Sequence, residues 1–477
     1  MQQEVSISPA DASEGLALWV SVLGFLIMTT DGYDLQAAAF AAPALAAEWH
    51  VKRELLGPVL AASIVGMAFG SVALGWLGDR VGRKKALVVC MALLALGSLG
   101  SWHASSLTPL WWFRALTGLG LGGATPIATT LIAEWTPPRW RTVAVAVVIV
   151  GVPLGGLVGA AVAQYIIPAY GWRSVFLLGA ALPAAFLVIA VPLLPESPAF
   201  RARAAARVRA TDGVGATARA GSTAGARAVA GAGGAVGAGG AVGAGGAVGA
   251  GGAVGAGGAV GAGAATGVAP RHALQGLFDL VAPPNLFATL TIWGSFILNS
   301  LTLYGFVNWL PLVLSSAGLP LQAALRGSLL FNLGGVVGSV CGSILIARYG
   351  SRPIGTSIAA TGSVGAILVG VALIVSGHGS AAMVLAPIAL AGACLNGMQN
   401  FLYAVAAHAY PTDIRASGVG CASAVARVGG VLSSAVGSSY FAFGLPVAQF
   451  FYILAVFIAA TAACFFCIPR HIPRAVA

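Results

Sequence analysis

About twelve long apolar runs decide what this 477-residue chain can fold into. They lie at roughly 16–41, 55–77, 86–104, 109–132, 142–164, 172–194, 286–313, 324–347, 354–376, 382–407, 416–440 and 447–467, each near the ~20 residues an α-helix needs to cross a bilayer. Only 8% of the residues are charged, against roughly 25% in a soluble domain, and the mean hydropathy is +0.92. A membrane barrel would show short alternating strands instead. The pattern predicts an all-α membrane protein of twelve transmembrane helices, set out as six, a gap and six.

The two halves echo one another. GWLGDRVGRKKAL follows the second run and SILIARYGSRPI the eighth, with Arg80 matching Arg348 and Gly82 matching Gly350. Two pseudo-symmetric six-helix halves with a substrate site between them are a common transporter plan, which a channel or membrane enzyme would not require. The expected domains are a tail at 1–15, a first bundle at 16–200, a linker at 201–275, a second bundle at 276–468 and a tail at 469–477. GAGGAV repeats fill much of the linker; too glycine-rich to hold a helix and without calcium-binding acids, they predict a flexible connection. The arginines from Arg201 to Arg209 either set topology or mark an amphipathic helix on the membrane surface.

A net charge of +11 and a pI near 9.8 could suggest a nucleic-acid partner, but the charges are placed otherwise. Arg80, Arg83, Lys84, Lys85, Arg139, Arg141, the Arg201 to Arg227 cluster, Arg271, Arg348, Arg352, Arg415, Arg470 and Arg474 fall on one predicted side. Lys52, Arg53, Arg173 and Arg326 fall on the other. By the positive-inside rule both termini and the gap are cytoplasmic, as expected for an inner, cytoplasmic membrane. The N-terminal QQEVSISPADASEG lacks the basic region of a cleaved signal peptide, so the first run is expected to stay as an anchor.

All six cysteines, including the Cys464 and Cys467 pair, lie in or beside apolar runs with no zinc-like ligand spacing around them, and are read as packing residues. The sequence holds no Walker loop, no plausible Ser-His-Asp order and no metal-ligand cluster. No enzymatic activity, cofactor or metal is expected, and the energy source is an ion gradient or the solute's own gradient.

Residues 75–87 read G-W-L-G-D-R-V-G-R-K-K-A-L. In this stretch Gly75 and Gly82 are expected to bound a tight turn that presents Asp79 among Arg80, Arg83 and Lys84. Such a cluster can hold helix ends together in one conformation and release them in another. Glu134 with Arg141, and Asp413 with Arg415, bracket the turns after the fourth and tenth runs, either as gate pairs or as exposed charges worth about 0–1 kcal/mol. His408 nearby is read as solvated.

In order and spacing the same stretch resembles the signature loop between helices 2 and 3 of the major facilitator superfamily. DGYDLQAAAFAAPALAAEW, RALTGLGLGGATPIATTLIAEWTPPRWR and LNGMQNFLYAVAAHAYPTDIRASGVGCASAVARVGG resemble the aromatic acid:proton symporters within it; PESPAF is shared with them and with sugar porters. The resemblance implies a major facilitator fold and proton-driven uptake of benzoate-type acids such as para-hydroxybenzoate and protocatechuate. The expected partners are that small aromatic carboxylate, protons and the lipid bilayer, with no nucleic acid, around a monomer. A porter for another organic anion such as a dicarboxylate, an exporter and a non-transporting membrane sensor are the alternatives.

Asp31 and Asp34 are three residues apart on one helix face in a run apolar enough for lipid, where an ionised carboxylate is costly. At 1.5 Å per residue, Asp31 and Arg114 reach similar depths, so they could face each other across a cavity. The two acids with Arg114 are candidates for proton coupling, the proton's hold depending on whether Arg114 is engaged by the acid or by a substrate carboxylate. The alternative is a static pair joining two helices. Gly32 between the acids permits close helix packing.

Arg427 lies near mid-membrane with no acid in its apolar surroundings, and its donor fork suits a planar carboxylate, unless carbonyls or a polar neighbour pair it. Asn396, Gln399, Asn400 and Tyr403 lie mostly on one face and either read a ring hydroxyl or bond a neighbouring helix. With Arg114 they complete the candidate substrate-binding set. Asn299, Asn308, Asn332 and Trp309 are weaker candidates, and Trp309 could equally be an interfacial anchor.

Overall fold

The computed structural model describes residues 9–137, 140, 144, 147–190, 192–197, 200–201, 278–375, 381–411 and 414–474. The repeat linker, Arg141 and Asp413 lie outside the described residues. In chain order the helices of the first half are α1 (Pro9–Glu48), α2 (Gly57–Val81), α3 (Arg83–His103), α4 (Leu107–Trp135), α5 (Gly151–Tyr170) and α6 (Arg173–Ala185). Those of the second half are α7 (Pro283–Ser316), α8 (Leu321–Tyr349), α9 (Ser351–Val375), α10 (Ala381–Ala409), α11 (Arg415–Ala442) and α12 (Val447–Phe466). A 3-10 turn at Arg53–Leu56 precedes α2.

Eleven of these helices are long and apolar enough to cross a membrane, one fewer than the twelve runs predicted. The exception is the run at 172–194. There α6 has 13 residues and passes into a π-helical turn at Phe186–Ala190, giving a shorter apolar helix over Arg173–Val188. Elsewhere helices overrun the predicted spans, as in the 40-residue α1, because helical hydrogen bonding continues past the apolar stretch.

Glycines let the helices of each half approach to backbone contact. A Cβ on Gly66, Gly70, Gly118 or Gly122 would strike the backbone of the facing helix in the α2/α4 pair. In the second half Gly334, Gly338 and Gly392 do the same for α8 and α10. Gly32 and Gly155 join α1 to α5, and Gly429 joins α11 to α7. Without a hydrophobic drive between helices in lipid, such small-residue contact is what packing there depends on. Its repetition in corresponding helix pairs makes the pseudo-symmetry of the halves physical.

The apolar cores divide by depth. On the side away from the N- and C-terminal segments one core is shared by both halves: Ala37–Ala42, Leu56–Leu60 and Phe176 pack in the same cluster as Phe306–Leu314, Phe331 and Phe450–Leu454. On the terminal side there are two cores. One holds first-half residues such as Ile27, Leu87, Leu121 and Ile132, the other second-half residues such as Phe296, Phe401, Tyr410 and Phe465. The halves are thus closed together on the far side and packed separately on the terminal side.

Among the described residues three hydrogen-bonded side-chain bridges cross between the halves. Gln36 Nε2 donates to Asn332 Oδ1 at 3.0 Å and Asn332 Nδ2 returns the bond to Gln36 Oε1 at 2.9 Å, both residues buried. Ser438 Oγ donates to the Glu54 carbonyl at 2.8 Å. Arg427 Nη1 donates to Ser71 Oγ at 3.0 Å. Replacing Gln36 by Leu leaves the buried Oδ1 of Asn332 without its donor, while Nδ2 keeps the Ser328 carbonyl, so the expected cost is about 1–3 kcal/mol. Gln36→Leu with Asn332→Leu should recover part of that loss, which thermal unfolding of the single and double variants in detergent would measure.

Candidate functional site

The two acids of α1, though three residues apart, are answered by different neighbours. Asp34 is fully buried and fully engaged: Ser98 Oγ donates to Oδ1 at 2.6 Å, Arg114 Nη1 to Oδ2 at 3.1 Å, and Arg114 Nη2 to its backbone carbonyl at 2.6 Å. Arg114 is itself fully buried, 5.6 Å from the Phe176 ring centre, with its Nε unpartnered. The expected meeting of Asp31 and Arg114 does not occur. The guanidinium takes the carboxylate three residues further along, tying α1, α3 and α4 together inside the first half.

Asp31 is 2% exposed and half-answered. Thr125 Oγ1 donates to Oδ2 at 2.6 Å, and Oδ1 has no hydrogen-bond partner among the described residues. The charges within electrostatic reach are Asp34 and, from the second half, Arg427. Arg427 is partly exposed, about 18 Å along α11 at 1.5 Å per residue, and its one side-chain bond goes to Ser71 of α2. Tyr304 of α7 joins the same ring: it lies within electrostatic reach of Arg427, Tyr403 and Asp31, and its ring abuts Gly430. Asp31, Ser71, Tyr304, Tyr403 and Arg427 therefore gather where the two halves meet at mid-depth.

The polar face of α10 is mostly spent on neighbouring groups. Asn299 Nδ2 donates to Gln399 Oε1 at 2.7 Å, Asn396 Nδ2 to the Gly392 carbonyl at 3.0 Å, and the Tyr403 hydroxyl lies 3.2 Å from Ser423 Oγ. Asn400 is partly exposed. Asn308 is buried with its Nδ2 unpartnered, and Asn332 belongs to the bridge with Gln36. Trp309 is fully buried against Phe441 and Gly437, so it is a core residue of the far side and no interfacial anchor.

At the terminal surface the Asp79 stretch folds into a corner. The turn is Gly82 alone, with φ +107, a conformation that favours glycine; Gly75 lies inside α2 with open space at its Cβ position and does not bound it. Arg83 Nη1 meets Asp79 Oδ1 at 2.6 Å and Nη2 lies 3.9 Å from Glu134 Oε1. Arg80 stacks 3.9 Å above Trp76, while Lys84 contributes its backbone N–H. Arg415 sits at the start of α11 with its Nε 3.5 Å from the Tyr410 carbonyl.

Sequence reasoning missed Glu196, within PESPAF. Its Oε1 accepts from the backbone N–H groups of Arg83 at 2.9 Å and Lys84 at 3.2 Å, capping the N-terminus of α3, where a carboxylate is favoured. Ser197 Oγ donates to Glu134 Oε2, closing the corner between the α2–α3 turn, the end of α4 and the segment after α6. An acid between two prolines was the available signal. Tyr304, Ser71, Ser98 and Thr125 gave none, since single hydroxyls in apolar helices show no pattern.

Residues 24–371 match the model of the Major Facilitator Superfamily. The chain belongs to that superfamily. It is 33% identical over 440 residues to a gallate transporter of Pseudomonas putida, covering 91% of this chain and 88% of that one. It is 32% identical to a 4-hydroxybenzoate transporter of Pseudomonas aeruginosa, covering 89% and 86%, and 26% identical to a benzoate transport protein of Acinetobacter baylyi, covering 87% and 81%. Among solved structures it resembles a D-xylose–proton symporter (TM-score 0.67, 16% identity, 94% and 97% covered). It also resembles the E. coli xylose transporter in a partially occluded inward-open conformation (TM-score 0.68, 15% identity, 96% and 98% covered). The molecule is a multi-pass membrane transporter of the facilitator fold and not an enzyme, and the family supports proton-coupled secondary transport of a small organic solute. Among the described residues no His, Cys, Asp and Glu gather as a metal site.

Removing Arg114 would leave the Asp34 carboxylate buried without its cation. Arg114→Met is expected to cost about 3–5 kcal/mol, and adding Asp34→Asn should return part of it. Comparing folded yield and thermal midpoint for the single and double variants checks this.

Proposed function

We propose that the protein imports a monocarboxylated aromatic acid of the benzoate or hydroxybenzoate type together with protons, by alternating access. The observation that supports this best is the half-answered Asp31 within electrostatic reach of Arg427 from the other half. The named substrates of the relatives, gallate, 4-hydroxybenzoate and benzoate, favour an aromatic carboxylate as the second ligand.

In this reading the substrate carboxylate takes the guanidinium fork of Arg427, while Asp31 carries the coupling proton. Loading both leaves no uncompensated charge in the closed cavity, nor does the empty site with Asp31 ionised, whereas either ligand alone would; the halves therefore rock only loaded or empty, the far side closing behind a loaded site and the terminal side after release. Asp34 and Arg114 act as the frame that fixes α1 beside this site. Tyr403, Asn400, Asn396 and Gln399 face the ring, and the corner of Asp79, Arg80, Gly82, Arg83, Lys84 and Glu134 gates the rocking. Arg141, Asp413 and Arg415 would complete the gates.

Arg173–Val188 is taken as a sixth crossing of the first half, which makes twelve. Both termini then lie on the cytoplasmic side of the inner membrane, with residues 201–275 linking the two bundles there. The arrangement with the far side closed is the inward-facing state in that orientation.

Uptake of radiolabelled para-hydroxybenzoate into expressing cells under an inward proton gradient tests the proposal. Accumulation that collapses with a protonophore, and falls to background in Asp31→Asn, is expected. Arg427→Gln should raise KM far more than Arg427→Lys does. Full accumulation by Asp31→Asn would remove Asp31 from coupling; no uptake by the unaltered chain would redirect the search to dicarboxylates.

A further inference from the structure

The second-half copy of the Asp79 corner is rebuilt from different chemistry. The turn glycine Gly82 recurs as Gly350, with φ +83, and the same register sets Ala347 against Asp79 and Ser351 against Arg83. Glu134 and His408 are each the penultimate residue of a 29-residue helix, α4 and α10 respectively. Asp79, Arg83 and Glu134 of the first corner thus have uncharged or titratable counterparts, while Arg80 and Lys84 keep cationic ones in Arg348 and Arg352.

The segment after α12 occupies the place that Glu196 takes after α6. Ser351 N–H donates to the Ile472 carbonyl at 3.0 Å, and Ile472 N–H donates to Ser351 Oγ at 2.8 Å. The same Oγ lies 3.1 Å from His471 Nδ1. Oγ accepts from Ile472 and, with the imidazole hydrogen assigned to Nε2, donates its own hydrogen to Nδ1; Nε2 is buried with no hydrogen-bond partner among the described residues. Arg470 Nη1 reaches the Ala409 carbonyl at the end of α10 at 3.4 Å, and Arg352 donates to the Phe466 carbonyl at 3.0 and 3.2 Å. The Phe465 ring meets His471 edge-on at 5.2 Å, and a Cβ on Gly350 would press on Ile472 and Arg474 at 3.2 Å.

We propose that Ser351 and the strap Arg470–Arg474 form a second, proton-sensitive latch, in which neutral His471 is the positioning residue that holds the strap across the ends of α9 and α10. The first-half corner locks by ion pairs; this one locks by a hydroxyl and an imidazole. Arg352 from α9 and His408 from α10 face His471, and Arg470 adjoins it in the strap. Burial, and then Arg352, hold the His471 imidazole below its usual range, because the cation is disfavoured among those groups. The sign follows: the latch is intact above the ordinary imidazole range and is lost as pH falls through the lowered value. Acidification on the terminal side loosens one half and leaves the other locked, which biases the rocking motion independently of the substrate site.

Hydrogen–deuterium exchange on the full chain in nanodiscs, corrected for intrinsic exchange at each pH, reads the latch without any substrate. Amides of 468–474 are expected to be protected at neutral pH and to lose protection on acidification, while the peptide carrying Arg83 and Lys84 does not change. His471→Gln, which still accepts from Ser351 but cannot be charged, should stay protected at low pH; Ser351→Ala should be unprotected throughout. Protection independent of pH in the unaltered chain, or the same acid release in His471→Gln, would overturn the proposal. Should His471→Gln fail to fold, the titration of His471 itself, followed by exchange at imidazole C2, must share its midpoint with strap release; separate midpoints would equally overturn it.

Discussion

A carboxylate sealed inside a membrane bundle needs a donor for each oxygen, a cation or a proton, and that requirement organises this molecule. Asp34 meets it completely, through Ser98 and Arg114, and becomes part of the frame of the first half. Asp31, less than one helical turn earlier, meets it on one oxygen only. The cation within its electrostatic reach, Arg427, is contributed by the second half. A charge balance that draws on both halves depends on how they sit together, as a balance completed within one half does not.

The rest of the fold supplies the two halves and the packing that joins them. Glycine contacts within α2/α4 and α8/α10 weld each half into a unit, while the far-side core and the Gln36–Asn332 amide pair join the units. On the terminal side each half keeps its own core, so separation there exposes little that was jointly packed. The corner around Arg83 joins helix ends rather than core side chains, through a few charge-assisted bonds.

The architecture was legible in the sequence because lipid imposes a length and a polarity on every crossing, and because the duplication left Gly82 and Gly350 in register. The Arg173–Val188 segment escaped the length rule: its apolar run continues where its regular helix does not. For the site, depth arithmetic brought Asp31, Asp34 and Arg114 to one level but could not choose the pairing. Rise along a helix is set by residue number, whereas pairing depends on rotation about the axis and on which neighbour offers a hydroxyl. Ser98, Thr125, Ser71 and Tyr304 decide those pairings and carry no periodic signature. Glu196 and the strap after α12 were hidden for a related reason, since each acts on a turn more than a hundred residues away in sequence.

Proton uptake on ligand binding tests the central claim most directly. In weakly buffered detergent solution containing the purified protein, addition of neutralised para-hydroxybenzoate should draw about one proton from solution per acid bound, if substrate engagement of Arg427 transfers the balance of Asp31 to a proton. The same titration with Asp31→Asn should show binding without proton uptake. Binding by the unaltered protein with no pH change, or unchanged uptake in Asp31→Asn, would contradict the account.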